Sequence, residues 1–426
     1  MSFKKISVIG LGYIGLPTAA IMASRGMEVE GVDVNQLTVD TINAGKVHIV
    51  EPDLDIVVSA VVATGKLRAS SVAQSSDAFL IAVPTPLSEI NEEQYRPDLS
   101  YIKAAADTIA PVLEKGNLVV LESTSPVGTT ERLSEWLSLA RPDLSFPQAE
   151  NEQADINIAY CPERVLPGAI LRELVSNDRI IGGMSRECSD RAAELYKTFV
   201  QGKCIITDAR TAEMTKLTEN AFRDVNIAFA NELSIMCDKL NVNVWELIKL
   251  ANRHPRVNIL NPGPGVGGHC IAIDPWFLVD SCPGEANLIR KAREINDAKP
   301  QFVIEKIMKQ AALVEKPMIA CLGLTYKADV DDLRESPALG IVEILSRELP
   351  ESVMVVEPNI KQLPRSLLKN GAMLEALSNA INKANIIVLL VDHAEFVKVN
   401  LLVLEGKTII DTIGFCENYQ AELNFN

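Results

Sequence analysis

The chain has 426 residues, 47% hydrophobic, 23% charged and 5% aromatic, which is an ordinary globular composition at a length that expects two or three domains. Its 41 Lys and Arg against 56 Asp and Glu leave a net charge of −15, which opposes binding to nucleic-acid phosphates or anionic membranes and excludes both as expected partners. Eight dispersed cysteines without a CxxC pair, and four histidines without HExxH or HxxxH spacing, point to reduced thiols, a cytoplasmic compartment and no metal site.

In chain order, the uncharged run from Ile6 to Ser24 behind Lys4 and Lys5 has the outline of a signal peptide, but Gly10, Gly12, Gly15 and Pro17 interrupt it. A strand-like segment, Glu28 to Asp33, follows at βαβ spacing, so the run reads as strand, glycine turn and helix. No other uncharged run is long enough to span a bilayer, and no membrane helix is expected. Gly10-Leu-Gly12-Tyr13-Ile14-Gly15 is then a dinucleotide fingerprint. The first glycine permits a tight turn, the second lets backbone approach a pyrophosphate, and the third lets helix pack on strand. Asp33 ends the second strand 33 − 10 = 23 positions after the first glycine. A carboxylate there accepts hydrogen bonds from ribose hydroxyls and repels a 2′-phosphate, which favours NAD over NADP. A glycine turn without ligand is the alternative.

Further strands are expected at Lys5–Ile9, Val29–Val32, Ala78–Val83, Leu118–Glu122, Ile156–Tyr160, Arg179–Gly182 and Cys204–Thr207, alternating with amphipathic helical stretches as in a parallel sheet covered on both faces. The loops Val83-Pro84-Thr85-Pro86 and Glu122 to Thr130 follow two of these strands, where ligands of open α/β sheets bind; equally, they are rigid turns that cap the next helix. From Arg210 to Lys239 no Gly or Pro occurs, predicting a long helix, with a second helix over Val244–Asn252. A Pro/Gly-rich loop (Asn261 to Asp274) leads to a helical stretch, Ala286–Leu313, and strands resume at Met318–Leu322, Val353–Val356, Ile386–Val391 and Thr408–Ile410. The expected fold is α/β, with two Rossmann-like doubly wound parallel-sheet domains, 1–208 and 313–426, joined by a central helical domain, 209–312, that contains the long helix.

Chemistry-bearing residues gather in the middle of the chain. Gly265-Val-Gly267-Gly268-His269-Cys270 places a thiol beside flexible backbone, as a nucleophile requires, although a lone cysteine is as often a core residue. Lys216 and Asn220 stand four apart on one helix face, with Arg223 a further turn along. An ordinary thiol of pKa ~8.5 is a few per cent thiolate at pH 7, and a neighbouring ammonium that lowers it to about 7.5 raises that to roughly a quarter. Lys216 with Asn220 could also stabilise an oxyanion. A lysine in a structural salt bridge is the alternative.

The ordered set GLGYIG, ESTSPVGTT, CPERVLPG, EMTKLTENAFRDVNIAFANE, PGPGVGGHCIAIDP and GLTYKADVDDLRESP, spanning residues 10 to 337, resembles the UDP-glucose/GDP-mannose dehydrogenase family. The resemblance implies a four-electron oxidation of a UDP-sugar C6 alcohol to a carboxylate with two NAD in succession, by a homodimer built around the central helix. Cys270 would form a thiohemiacetal and then a thioester. Lys216 and Asn220 match the oxyanion and water-binding pair, Asp274 the carboxylate that activates water, Glu163 a glutamate near C6, and Thr124 a residue beside the nicotinamide. Arg164, Val165, Arg223, His254, Arg256, Gly267, Tyr326 and Lys327 fall on substrate positions; Gly10, Gly12, Tyr13, Ile14, Gly15, Asp33, Thr85, Thr124 and Arg334 fall on cofactor positions.

The chain departs from the glucose enzymes of this family, which read PEFLREG where it has Pro162-Glu163-Arg164-Val165-Leu166-Pro167-Gly168. This version resembles the branch acting on N-acetylated sugars, so UDP-N-acetyl-D-mannosamine is the expected substrate, with UDP-N-acetylglucosamine or UDP-glucose as alternatives and a surface polysaccharide as the product's destination. Glu357-Pro358 and Asp392-His393-Ala394-Glu395-Phe396 resemble third-domain loops of the family or are ordinary strand-end turns. A single-step β-hydroxyacid dehydrogenase shares the Rossmann domain and the Lys-x-x-x-Asn pair, but has no need of Cys270 or of a third domain. A non-catalytic NAD-binding protein would leave the whole set idle.

Overall fold

The computed structural model describes residues 3–91, 94–147, 153–268, 270–398 and 406–417. They form two compact units, Met1–Glu219 with Trp276–Cys282, and Asn220–Pro275 with Pro283–Asn426. His269 of the glycine-rich motif lies outside the described residues.

The first unit holds strands β1 (Lys5–Ile9), β2 (Glu28–Val32), β3 (Leu67–Ser70), β4 (Ala78–Ile81), β5 (Leu87–Asn91), β6 (Gln94–Pro97), β7 (Leu118–Leu121), β8 (Asn157–Tyr160), β9 (Arg179–Gly183) and β10 (Cys204–Asp208). Eight of them make one sheet in the order β10-β9-β8-β7-β4-β1-β2-β3, while β5 and β6 pair as a separate antiparallel hairpin. The chain runs outward from β1 to β3, then returns to β4 on the other side of β1. The strand order thus reverses between β1 and β4, where ligands of open sheets collect. Alternate side chains of the central strands feed two cores: Ile6, Val8, Leu80, Leu118 and Val120 enter one, and Ile9, Phe79, Ile81, Val119 and Leu121 enter the other. Both faces are covered, which is why these strands read as continuous apolar runs.

The second unit repeats the scheme with β11 (Ile319–Leu322), β12 (Val353–Val356), β13 (Met373–Leu374), β14 (Ile386–Leu389) and β15 (Thr408–Asp411), all parallel in the order β13-β12-β11-β14-β15. Ile319 and Cys321 of β11 enter one core, Ala320 and Leu322 the other. Fold class and long helix match expectation: the helix runs Ala209–Leu240, and the segment expected over Ala286–Leu313 is helical over Asn287–Ala311. A buried polar set joins these two helices, with Arg293 Nη1 donating to Asp224 at 2.5 Å and Asn296 Nδ2 to the same carboxylate at 2.8 Å. Burial works to raise the Asp224 carboxyl above its ordinary range, and the Arg293 charge opposes it.

Two expectations need correction. The large sheet is not wholly parallel, because β8 and β9 are antiparallel, joined by the loop and short helix (Ile170–Ser176) that carry the Pro162–Gly168 run. The strands β3, β5, β6 and β13 are also additional to those read from the sequence; Leu67-Arg-Ala-Ser and Met373-Leu374 are too short and mixed to give a period-2 signal. No helix among the described residues is long and apolar enough to cross a membrane.

The start of the long helix is seated on β9 through Gly182. A Cβ there would stand 2.4 Å from the Asp208 carbonyl oxygen, 2.6 Å from Ala212 Cβ and 2.8 Å from Ala209 Cα. Gly182→Ala is expected to destabilise the first unit by about 1–3 kcal/mol through overpacking. Denaturant unfolding followed by circular dichroism measures this, and an unchanged midpoint would show that the helix can shift off β9 without cost.

Candidate functional site

Gly10 turns the chain at the end of β1 at φ +91°, where an added Cβ would meet the Ala82 carbonyl oxygen at 2.6 Å, and a Cβ on Gly15 would lie 1.8 Å from the Gly10 oxygen. Around Gly12 a Cβ would meet nothing within 4 Å. The loop is therefore closed toward the protein and open outward, as close backbone approach to a pyrophosphate requires, and these residues fit NAD. Ile14 precedes the first turn of the helix Gly15–Ser24 and Tyr13 packs partly buried on the core. Asp33 accepts from the backbone N–H of Leu11 and of Asn35, each at 2.9 Å. It thus ties the end of β2 to the glycine turn.

The two loops expected beside the nicotinamide also meet. Thr85 Oγ1 donates to the Thr124 carbonyl oxygen at 2.5 Å, and Ser123 Oγ to the Val83 oxygen at 2.7 Å. The second loop is held from the long helix by Glu213, buried, which accepts from Gly128 N at 2.6 Å, Thr130 N at 2.8 Å and Thr130 Oγ1 at 2.6 Å. One turn later Lys216 is buried on the same helix.

Glu163 and Arg164 occupy two different environments. Glu163 is buried; its Oε1 accepts from Arg164 N at 2.7 Å, and its Oε2 meets Arg179 Nη1 at 2.6 Å. Arg179 is itself buried at the start of β9 and lies against the Tyr196 ring, its guanidinium carbon 5.5 Å from the centroid. The Tyr196 hydroxyl donates to Glu122 Oε1 at 2.5 Å. The Arg179 guanidinium is thus bonded to Glu163, while Glu122, also buried, is bonded to Tyr196 and feels both charges. Burial first, and the charge of Glu163 second, raise the Glu122 carboxyl to about 7, against the pull of Tyr196 and Arg179. Arg164, half-buried, reaches Glu219 with Nε at 3.0 Å and Nη2 at 2.6 Å, so its guanidinium is held by a carboxylate of the long helix. Val165 packs on the core, and Glu51 secures the end of the run by accepting from Gly168 N at 2.8 Å and Ile170 N at 2.7 Å.

In the second unit Asn220 Nδ2 donates to Asp274 Oδ2 at 2.5 Å, and Asp274 is buried. The backbone of Asp274 donates to the Cys270 carbonyl oxygen at 2.9 Å, so the thiol-bearing residue stands one turn before the carboxylate and is exposed. None of the eight cysteines is joined in a disulfide, and all lie among the described residues. Burial pushes the thiols of Cys161 and Cys321 far up, which leaves them inert as nucleophiles. The glycine loop is pressed against the Tyr326 loop: a Cβ on Gly267 would meet the Glu335 oxygen at 2.4 Å and Tyr326 Cβ at 3.1 Å. Tyr326 and Lys327 line a cleft of about 200 Å³ with Pro264, Gly265, Val391 and Asp392. Arg334 is exposed and paired to Asp332 through Nε at 2.8 Å and Nη2 at 2.7 Å. His254 accepts from Arg256 N at 3.3 Å, both being exposed, as is Arg223.

Within each unit most of the residues expected from the sequence thus come together: Gly10, Asp33, Thr85 and Thr124 in the first, Asn220, Cys270 and Asp274 or Gly267, Tyr326 and Lys327 in the second. Arg179, Tyr196, Glu213 and Glu219, which fix them, escaped sequence reasoning. The available signal for Arg179 was a charge at the head of an apolar strand, Arg179-Ile-Ile-Gly-Gly, which needs a buried partner.

A proton on Glu122 stabilises the fold, because its folded-state value of about 7 lies above the ordinary 4.5. That contribution is complete below about pH 4.5, declines as pH rises, and is lost above about 7, a change on the order of 3 kcal/mol. Glu122→Gln keeps the neutral form at every pH. Its stability relative to the parent protein is expected to rise by that amount between pH 4.5 and 8 in parallel unfolding titrations; a difference independent of pH would mean that Glu122 does not titrate in this range.

Similarity to known proteins agrees with this layout. Residues 4–200, 210–298 and 320–418 match, in order, the NAD binding domain, the central domain and the UDP binding domain of the UDP-glucose/GDP-mannose dehydrogenase family. A UDP-N-acetyl-D-mannosamine dehydrogenase of Campylobacter jejuni is 63% identical, over 93% of this chain and 97% of that protein. An NDP-N-acetyl-D-galactosaminuronic acid dehydrogenase of Ralstonia nicotianae is 62% identical, over 97% and 96%. The solved structure of a UDP-D-ManNAc dehydrogenase from Pyrococcus horikoshii superposes with a TM-score of 0.86 at 41% identity, covering 96% of each chain. The cofactor is NAD, the enzyme is a UDP-sugar dehydrogenase, and the chain belongs to the UDP-glucose/GDP-mannose dehydrogenase family.

Proposed function

We propose that the enzyme oxidises C6 of UDP-N-acetyl-D-mannosamine to the uronate in two successive steps through a covalent adduct on Cys270. The observation that carries this reading is an exposed Cys270 one turn from a buried Asp274 that is bonded to Asn220. A thiol is superfluous for one alcohol oxidation but holds an aldehyde for a second. NAD, when bound, supplies the hydride acceptor in both steps.

In the first step C6 loses a hydride and its hydroxyl loses a proton to solvent, leaving an aldehyde. The Cys270 thiolate adds to C6, and the resulting O6 anion is stabilised by Lys216 until it takes a proton. Loss of a second hydride from C6 and of the O6 proton gives a thioester. Water then adds to C6, with Asp274 accepting its proton and Asn220 orienting Asp274; the C6–S bond breaks, the thiolate of Cys270 departs and the carboxylate is formed. Glu163 and Thr124 border the reacting carbon in this reading. Arg223, His254, Arg256, Gly267, Tyr326 and Lys327 hold the UDP-sugar, and Arg334 the cofactor. The segments 1–208, 209–312 and 313–426 are assigned to cofactor binding, the central helical core and UDP-sugar binding.

The choice of an N-acetylated sugar is supported by the Pro162–Gly168 run and by both close relatives, whose names carry N-acetylated sugars. Arg164 is engaged with Glu219, so its effect on selectivity comes through the shape of the loop it fixes. A second reading, the galacto-configured acetamido sugar, is favoured by the name of the Ralstonia nicotianae relative. A homodimer is supported by Phe222, Phe229, Met236 and Leu240, which are exposed at spacings of 7, 7 and 4 along the long helix and form one apolar stripe.

Cys270→Ser is expected to lose steady-state turnover by several orders of magnitude while NAD affinity is retained, because an alcohol is a far weaker nucleophile at neutral pH. Uronate production at the parent rate would overturn the covalent route. The substrate assignment is tested by NADH release with UDP-glucose and the UDP-linked N-acetylated gluco-, galacto- and manno-sugars at matched subsaturating concentrations, without any epimerase. The manno sugar is expected to lead by roughly a hundredfold over UDP-glucose and to release two NADH per uronate, because an unpaired acetamido or hydroxyl costs a few kcal/mol. Preference for UDP-glucose would overturn the reading of the loop, and preference for another acetamido sugar only the epimer.

A further inference from the structure

In the second unit three loops leave the C-terminal ends of the adjacent strands β12, β11 and β14, and a buried Glu357–His393 pair joins them. Glu357, directly after β12, accepts from Leu324 N at 2.7 Å, Thr325 N at 3.2 Å and Asn359 N at 3.0 Å. His393, fully buried beyond β14, places Nε2 2.9 Å from Glu357 Oε2. Its Nδ1 receives Asp329 N–H at 3.0 Å and stands 3.0 Å from Asn359 Nδ2.

A backbone N–H can only donate, so Nδ1 is the acceptor and Nε2 carries the hydrogen that is given to Glu357. The ring thus joins Glu357 at one end of the 324–329 loop to Asp329 at the other. Asp329 has φ +59°, a left-handed conformation unfavourable for a residue with a side chain, and it is held there by the His393 contact and by Ala394 N donating to its Oδ1 at 3.0 Å. Between these anchors lie Tyr326 and Lys327, on the wall of the cleft. The pair lies behind that wall.

We propose that His393 and Glu357 are positioning residues for nucleotide-sugar binding: their buried hydrogen bonds hold the strained 324–329 turn so that Tyr326 and Lys327 face the UDP moiety. The proposal rests on the reading that this loop binds UDP. Neither residue touches the substrate or the reacting carbon.

The test compares His393→Leu, His393→Gln, Asn359→Ala and Lys327→Ala in the full-length enzyme, measuring UDP affinity by calorimetry and kcat with KM for both substrates. His393→Leu removes both ring bonds and is expected to weaken UDP binding and raise the UDP-sugar KM about tenfold, with kcat within about threefold and the NAD KM unchanged. His393→Gln can donate to Glu357 and accept from Asp329, and is expected to recover most of the loss. Should the leucine variant not fold, Asn359→Ala removes one donor at Nδ1 and is expected to raise the same KM about threefold. If Lys327→Ala weakens UDP while the His393 and Asn359 variants bind it like the parent, the positioning role is overturned and the loop assignment stands. If Lys327→Ala leaves UDP affinity unchanged, the loop assignment fails and the proposal with it. Equal losses in kcat and in both KM values would mark His393 as a residue of general folding and also overturn the proposal.

Discussion

Four of the loops that carry candidate site residues are each held by a carboxylate accepting backbone N–H groups. Asp33 holds the glycine turn, Glu213 the Ser123–Thr130 loop, Glu51 the end of the Pro162–Gly168 run, and Glu357 the 324–329 loop. A loop that leaves a parallel strand has no ladder partner for its amides, and a buried amide without an acceptor is costly. One carboxylate can accept several such bonds, and charge makes each stronger than a neutral one. The outward face of the loop is then left for ligand, and its geometry is set before ligand arrives.

Parallel pairing decides where these loops gather. Because β1, β2, β4 and β7 run in register in one direction, Gly10, Asp33, Thr85 and Thr124 all emerge at the same edge of the sheet. The reversal of strand order between β1 and β4 splits the helices that follow to opposite faces and opens the crevice into which the glycine turn faces. The antiparallel β9 interrupts this pattern at the far side, and the interruption has a use. It brings Arg179 under Glu163, and Gly182 under the first turns of the long helix, so that the Pro162–Gly168 loop and the helix bearing Glu213, Lys216 and Glu219 share one support.

The interior of the first unit also keeps a charge balance. Glu122, Glu163 and Arg179 are buried together, and two carboxylates with one guanidinium are neutral only when one proton is retained. Glu122 is the more deeply enclosed, and its burial, with the charge of Glu163 second, raises its carboxyl to about 7 against the pull of the Tyr196 hydroxyl and Arg179. Glu163 is left with the guanidinium. Burial silences the thiol of Cys161, next to Pro162, whereas Cys270 is exposed.

Periodicity and punctuation in the sequence were enough for the two α/β sheets, the long helix and the glycine turn, because those signals are local: a strand buried on both faces must be apolar throughout, and a tight turn at positive φ needs glycine. The motif residues were legible for the same reason, each lying within a few positions of a strand end or a helix turn. Residue spacing does not reveal which distant side chains satisfy one another. Arg179 beneath Glu163, Glu219 against Arg164, Glu213 behind Thr130 and His393 against Glu357 are pairs 16, 55, 83 and 36 positions apart. Short elements such as β3 and β13 likewise exist only because a neighbouring strand offers them hydrogen bonds. The sequence by itself determined which chemical groups the protein possesses and where along each element they stand. Tertiary structure decided which of them are buried, paired and aimed, because desolvation and hydrogen bonding depend on what packing brings within about 3 Å, and that distance has no counterpart in sequence separation.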